Sequence, residues 1–409
     1  MMKRRTLLAA SAVTAAATII PRARAQAGGS IKIGVLGDQS GVYRDLSGPV
    51  AVACARQAIE DMQPHLNGIT VDVVVGDHQN KPDVGASIAR QWFDRDGVDM
   101  ICDCPNSAVA LAVSAVCREK DKAYVNSPAM IADLTGPQCA PTTVHWTMDT
   151  WALAHSTGGA LVKAGGSSWF FITADYAFGL ALERDTTNFV KQAGGTVVGS
   201  VKAPFPTSDF SSYLLQAQAS KAQVIGLCNA GSDTVNSIKQ AGEFGITQTG
   251  VKLAGLLVFI SDVHALGLQT AQGLVLTESF YWDLNDRTRA FTNRVIKKTD
   301  GFHPGMGQAG VYGGCVAYFK AVAALGAADA KKSGTAVVNK MKSMPTDDDA
   351  FGAGSIREDG RALHPVYLFE VKQPGESKAP WDYYKLLATT PADQAFRPLK
   401  DGGCPLVHA

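Results

Sequence analysis

Short apolar runs alternate with stretches of helical periodicity along most of this chain. Ile31-Lys32-Ile33-Gly34-Val35-Leu36 reads as a strand that ends in a polar loop, residues 37–48. Residues 49–62 follow as a helix, with Val50, Ala53, Cys54, Ala58 and Met62 near one face. Strand patterns recur at 71–75, 98–102 and 123–125, with helices at 83–94 and 108–119 between them. This βαβα order predicts a parallel sheet covered on both faces. The rhythm restarts after Trp146. Helices are expected at 152–163, 177–192, 211–220 and 234–244, and strands at 168–172, 196–201, 224–227 and 253–258. A strand resumes at 273–277, helices follow at 287–299 and 307–325, and 366–371 is a late strand. The expectation is an α/β protein of two lobes built alike. Three crossings near residues 147, 274 and 350 would make lobe one from 28–147 plus 275–350 and lobe two from 148–274 plus 351–390. Residues 391–409 would be an irregular tail.

The first residues fix a compartment. Lys3, Arg4 and Arg5 precede an apolar run from Leu7 to Ile20, then Ala23-Arg24-Ala25 and Ala25-Gln26-Ala27 offer small-residue exits. That order predicts a cleaved export signal over residues 1–27, too short for a membrane span. Arg4-Arg5-Thr6-Leu7-Leu8 is also compatible with the twin-arginine route. The exit carries no lipidated cysteine, so an exported product without a lipid anchor is expected. Five of the 38 Lys and Arg lie in that leader, leaving 33 against 37 Asp and Glu, a net charge of about −4. No basic stripe remains for nucleic acid, and no second long apolar segment for direct membrane insertion.

Enzyme signatures are missing. No P-loop and no Gly-x-Ser-x-Gly elbow occurs, and the eight histidines are scattered. Gly305-Met306-Gly307-Gln308-Ala309-Gly310 has the letters of a dinucleotide fingerprint but follows a loop rather than a strand. Cys102-Asp103-Cys104 has the wrong spacing for a metal pair. No cofactor, metal or catalytic residue is expected.

The loops after the strands carry the candidate chemistry, because ligands of open α/β sheets sit beyond the strands' carboxyl ends. They offer Tyr43 after the first strand, then Asn106 and Ser107, then Ser127, Ala129 and Met130. In the second half they offer Tyr176, then Asn229 and Ala230, then Phe259. Ser107 at the start of a helix reads either as a cap or as an anion contact. Phe280, Tyr281 and Trp282 form an aromatic cluster that could wall a cleft or simply pack.

The segments Ile31–Leu36, Asp38-Gln39-Ser40-Gly41-Val42-Tyr43, Gly76-Asp77-His78-Gln79-Asn80-Lys81-Pro82-Asp83, Asn126-Ser127, Thr173-Ala174-Asp175-Tyr176-Ala177-Phe178-Gly179 and Glu278-Ser279-Phe280-Tyr281-Trp282-Asp283 occur in an order that resembles a family. The chain is similar to type I periplasmic solute-binding proteins of branched-chain amino acid ABC transporters, especially the subgroup that takes aromatic acids. The resemblance implies two Rossmann-like lobes with parallel central sheets, joined by a three-crossing hinge. It implies a monomer that captures a small-molecule carboxylate, most readily an aromatic acid, and passes it to an inner-membrane ABC permease. Amino acids, short amides or urea are alternative ligands, and a sensory ligand-binding module is an alternative role. In amino-acid-binding relatives an acid near Phe259 would pair with the ligand ammonium; the first acid here is Asp262. Cys139 and Cys404 lie in loop segments that resemble positions where the aromatic-acid subgroup carries cysteines. An exported chain permits a disulfide between them.

Overall fold

A computed structural model of the chain describes residues 28–158, 161–162 and 165–407; the leader expected at 1–27 lies outside them. Strands β1 (Ser30–Gly37), β2 (Thr70–Asp77), β3 (Met100–Asp103), β4 (Ala123–Asn126) and β5 (Thr143–His145) form a parallel sheet in the order β2-β1-β3-β4-β5. Its central strands are buried on both faces, as a covered parallel sheet requires: Ile31, Ile33, Val35 and Leu36 are all fully buried. The second sheet repeats the plan. Strands β6 (Ser168–Ala174), β7 (Thr196–Ala203), β8 (Val224–Cys228) and β9 (Lys252–Gly255) run parallel in the order β7-β6-β8-β9. Each sheet therefore has a switch point, between β1 and β3 in one and between β6 and β8 in the other, where successive strands depart in opposite directions.

The remaining strands form two small antiparallel sheets. Strands β10 (Val275–Glu278), β14 (Val366–Val371) and β15 (Tyr384–Thr390) pair in the order β10-β14-β15. Leu276, Phe369, Val371 and Tyr384 bury in one core with Phe170, Ile172, Ile225 and Leu227 of the second parallel sheet. Strands β11 (Thr346–Asp348), β12 (Gly352–Ile356) and β13 (Ala362–Leu363) go the other way. Arg361 bridges to His145 of β5, and the His145 N–H donates to Gly360 O at 2.9 Å. On these pairings we propose that the lobes divide near 146–149, 279–285 and 364–365. In this proposed division the last two crossings lie later than the positions near 274 and 350 that the sequence pattern suggests. A short strand pattern such as Val275–Glu278 does not say which sheet it joins, and Gly352–Ile356 has little hydrophobic pattern.

The crossings are tied by a buried charge. Arg361 is fully buried, and its guanidinium donates to the carbonyls of His145 and Thr147, to His145 Nδ1 at 2.7 Å and to Asp149 Oδ2 at 2.9 Å. Burial pushes its pKa down to about 10, so it stays charged at neutral pH. The tail closes over this knot. The Phe396 ring lies 5.0 Å from Arg361 Cζ, Arg397 donates to Ala132 O at 3.2 Å, and Cys139 is joined to Cys404 with a Cα–Cα distance of 5.6 Å. The other six cysteines are free and buried.

Removing the guanidinium leaves Asp149 charged in a dry site. Arg361→Leu is expected to lower the unfolding free energy by about 3–5 kcal/mol in urea titrations. A loss within about 0.5 kcal/mol, the scale of surface substitutions, would contradict the assignment. The disulfide closes a loop of 265 residues. Cys404→Ser should cost about 2–4 kcal/mol in the same assay, and reducing agent should reproduce the loss in the parent protein.

Candidate functional site

The loops at the carboxyl ends of both sheets face one another. Tyr43, Leu46, Pro105, Pro128 and Met130, after β1, β3 and β4, meet Tyr176, Phe178, Ala230, Leu257 and Phe259, after β6, β8 and β9. Between them lies a space of about 10 Å³, room for about one water. The two sides are in contact, so a solute the size of an organic acid enters only if the lobes part.

Tyr43 is placed by a buried acid. Asp38 is fully buried at the end of β1. Its Oδ1 accepts the Gly41 N–H at 2.6 Å, and its Oδ2 accepts the Tyr43 N–H at 2.8 Å and Asn80 Nδ2 at 2.6 Å. A carboxylate that gathers backbone donors in this way folds the loop back on itself and turns the Tyr43 ring inward. There the Tyr43 hydroxyl is hydrogen-bonded to the Tyr176 hydroxyl from the other lobe. Burial first, and for Tyr43 then its neighbour Tyr176, push both phenols well above their usual range, so they are neutral donors and acceptors.

The other candidates divide by what they touch. Met130 and Ala230 line the space with Phe259. Ala129 is fully buried in the same loop, where Asn126 Nδ2 donates to its carbonyl at 2.8 Å. Asn106, not Ser107, caps the helix Ser107–Lys120, accepting from Ala108 N at 3.0 Å and Val109 N at 3.1 Å. Ser107 is thereby freed: its side chain is buried, and its Oγ has no hydrogen-bond partner among the described residues. Ser127 is committed instead. Its Oγ donates to Gly307 O at 2.5 Å, where the helix Met306–Leu325 comes close. A Cβ at Gly310 would fall 2.1 Å from that Oγ, so the Gly-rich stretch serves helix packing. Asn229 binds its own following helix, through Ser237 Oγ at 2.9 Å and Thr234 Oγ1 at 2.8 Å.

The aromatic cluster packs away from this space. Phe280 meets Phe291 at 5.9 Å, Tyr281 meets Tyr384 at 4.9 Å, and Trp282 Nε1 donates to Trp381 O at 2.7 Å. The sequence reading missed Leu46, Pro105, Pro128, Phe178 and Leu257, all within or beside loops it had singled out. It also missed Phe205, which stacks on Tyr176. An aromatic residue just past a strand's carboxyl end was the available signal.

No lining residue is ionisable apart from the two phenols. The nearest acid in sequence, Asp262, accepts the Phe259 N–H at 2.9 Å and lies buried at the start of the helix Ile260–Leu266. Burial pushes it up to about 7. Glu278, at the end of β10, is also fully buried. It accepts the Tyr384 hydroxyl at 2.8 Å, its Oε2 has no partner among the described residues, and burial pushes it up to about 8. Among the described residues no group of acids, histidines or cysteines could hold a metal ion.

These shifts set a pH dependence. From about 4.5 to about 8 the folded Glu278 keeps a proton that the unfolded chain has lost, so stability falls as pH rises. His78 and His364, pushed down to about 4 and about 3 by burial, act oppositely below about 6.5, where the unfolded chain takes up the proton. Between pH 7 and 8 the Glu278 slope should dominate, at about 1 kcal/mol lost over that unit in urea unfolding. Glu278→Gln should remove about that much and leave the smaller slope of Asp262 and Asp233, both pushed up to about 7 by burial. A parent profile already flat there would contradict the buried, protonated carboxyl.

The same fold recurs in known proteins. A family model described as periplasmic binding protein matches residues 30–378. A periplasmic binding protein from Burkholderia mallei is 50% identical, with a TM-score of 0.88 over 92% of this chain and 99% of that one. A branched chain amino acid ABC transporter periplasmic ligand-binding protein from Burkholderia xenovorans LB400 is 38% identical, with a TM-score of 0.79 over 92% and 99%. The fold is shared with an ABC transporter solute-binding protein from R. palustris in complex with 4-hydroxybenzoate, at 22% identity and a TM-score of 0.79 over 89% and 97%.

Proposed function

The chain belongs to the periplasmic binding protein family, and from that premise we propose that it captures a small carboxylate, an aromatic acid of the benzoate class, between its lobes and hands it to an ABC permease in the inner membrane. No helix among the described residues is long and apolar enough to cross a membrane. The export signal expected at 1–27 suits the same role.

The observation that carries the ligand class is the character of the cleft wall. It holds aromatic and apolar side chains with two neutral phenols, and no acid lines it. An α-amino acid needs an anionic partner for its ammonium group, since an uncompensated buried charge is costly. Asp262, which could have served, is turned to the Phe259 N–H. A planar ring suits Phe178 and Phe259, where aromatic contacts add about 0.5–1.5 kcal/mol per pair beyond burial. Ser107 Oγ, buried and unpartnered among the described residues, is the hydroxyl we assign to the carboxylate.

Thermal or chemical unfolding with added ligand tests this reading. Benzoate or 4-hydroxybenzoate at 100 times its dissociation constant should add about 2.7 kcal/mol, and leucine should add nothing. Ser107→Ala should weaken acid binding by about 1.5–3 kcal/mol, the range for a hydrogen bond to a charged group. Stabilisation by leucine with none from either acid would overturn the ligand class and leave the family role intact.

A further inference from the structure

One short segment of the first lobe, Val42-Tyr43, touches the second lobe at three places. The Tyr43 hydroxyl is bonded to that of Tyr176. Phe205, on the loop after β7, stacks on Tyr176 with ring centroids 4.2 Å apart at 26° and lies 5.3 Å from Tyr43 at 30°. Ser232 N approaches Val42 O at 3.5 Å. That last approach is possible because residue 231 is glycine. Its φ is +60°, and an added Cβ would stand 2.7 Å from Val42 O and 3.0 Å from the Tyr43 ring. Neither contact distance leaves space for a methyl group, and the backbone conformation independently disfavours one. Neither Gly231 nor Phe205 lines the space between the lobes.

We propose that Gly231 and Phe205 are positioning residues for closure. Together with Tyr43 and Tyr176 they form a seam that holds the lobes together and sets how fast a captured solute leaves. The inference rests on the cleft being the solute site, and it adds that Gly231 and Phe205, which do not line that cleft, govern how long the solute stays. Gly231 acts by lacking a side chain, so the Val42 carbonyl can lie against the turn before the helix Ser232–Glu243. Phe205 acts by covering both phenols at once, which keeps their hydroxyl pair out of water. A closed population stabilised in this way raises affinity without any contact to the ligand. Asp38 supports the same segment from below, since the Tyr43 N–H is among its donors.

The test is a distance measurement between spin labels at the exposed positions Arg56 and Lys239, one in each lobe; the six free cysteines are buried and should stay unlabelled. Without ligand, the parent protein should show a short-distance population that falls at least threefold in Gly231→Ala and in Phe205→Ala. Phe205→Tyr, which keeps the ring, should retain it. The same two damaging variants should speed benzoate dissociation about tenfold and leave the association rate within about twofold, whereas general damage to the fold would lower both the rate and the amplitude of association. A parent protein with no short-distance population, or alanine variants that keep it, overturns the seam. A population that responds to the variants but not to benzoate supports the seam and counts against the carboxylate reading.

Discussion

The buried guanidinium of Arg361 is the constraint on which the two-lobe arrangement rests. A charge removed from water must be compensated or it costs several kcal/mol. Here it is met by the carbonyls of His145 and Thr147, by Asp149 and by the neutral His145 ring. Burial, reinforced by Arg361, keeps that imidazole unprotonated, so its Nδ1 can accept. These partners lie at residues 145–149 and Arg361 lies just before β13, next to two of the crossings we propose. The pair therefore fixes how the strands that link the lobes lie against each other. The Cys139–Cys404 bridge and the Phe396 ring then lay the tail over the same knot. A hinge so anchored leaves movement to the facing loops, which meet through the Tyr43–Tyr176 hydroxyl pair and apolar and aromatic side chains.

That far side is built by topology. Both sheets share one strand order, so both present loops at a switch point, and the first crossing turns the second set toward the first. The chain needs no special sequence to create a cleft; it needs side chains on those loops that suit a solute. Asp38 shows how one is delivered. A fully buried carboxylate spends its acceptors on the loop's own N–H groups, and Tyr43 is the residue so presented. Neutral phenols facing an apolar wall then set the polarity of the site.

The α/β class, the two parallel sheets and most strand and helix positions were legible, because covered parallel strands are dense apolar runs and helices show their period. The family was legible from the order of short segments. What escaped depended on partners far apart in sequence. Val275–Glu278 has a strand's pattern, yet its neighbour Val366–Val371 is some ninety residues on. Arg361 and Asp149 carry no local signal of their pairing. At the site, the loops were found more reliably than their residues. Ser127 and Asn229 are polar residues in the right loops, but each spends its side chain on a nearby helix. Phe280 and Tyr281 are aromatics at a strand end that fill cores instead. Exposed polarity in a loop does not reveal whether a hydroxyl is already engaged, and Asn106 taking the cap is what frees Ser107.

The most direct test of the account is a crystal structure grown with benzoate. It should show the acid between the lobes, its ring against Phe178 and Phe259 and its carboxylate within hydrogen-bond distance of Ser107 Oγ, with Asp262 still on the Phe259 N–H. An amino acid carried through purification with its ammonium on Asp262, or a cleft that excludes benzoate while binding it elsewhere, would contradict the account.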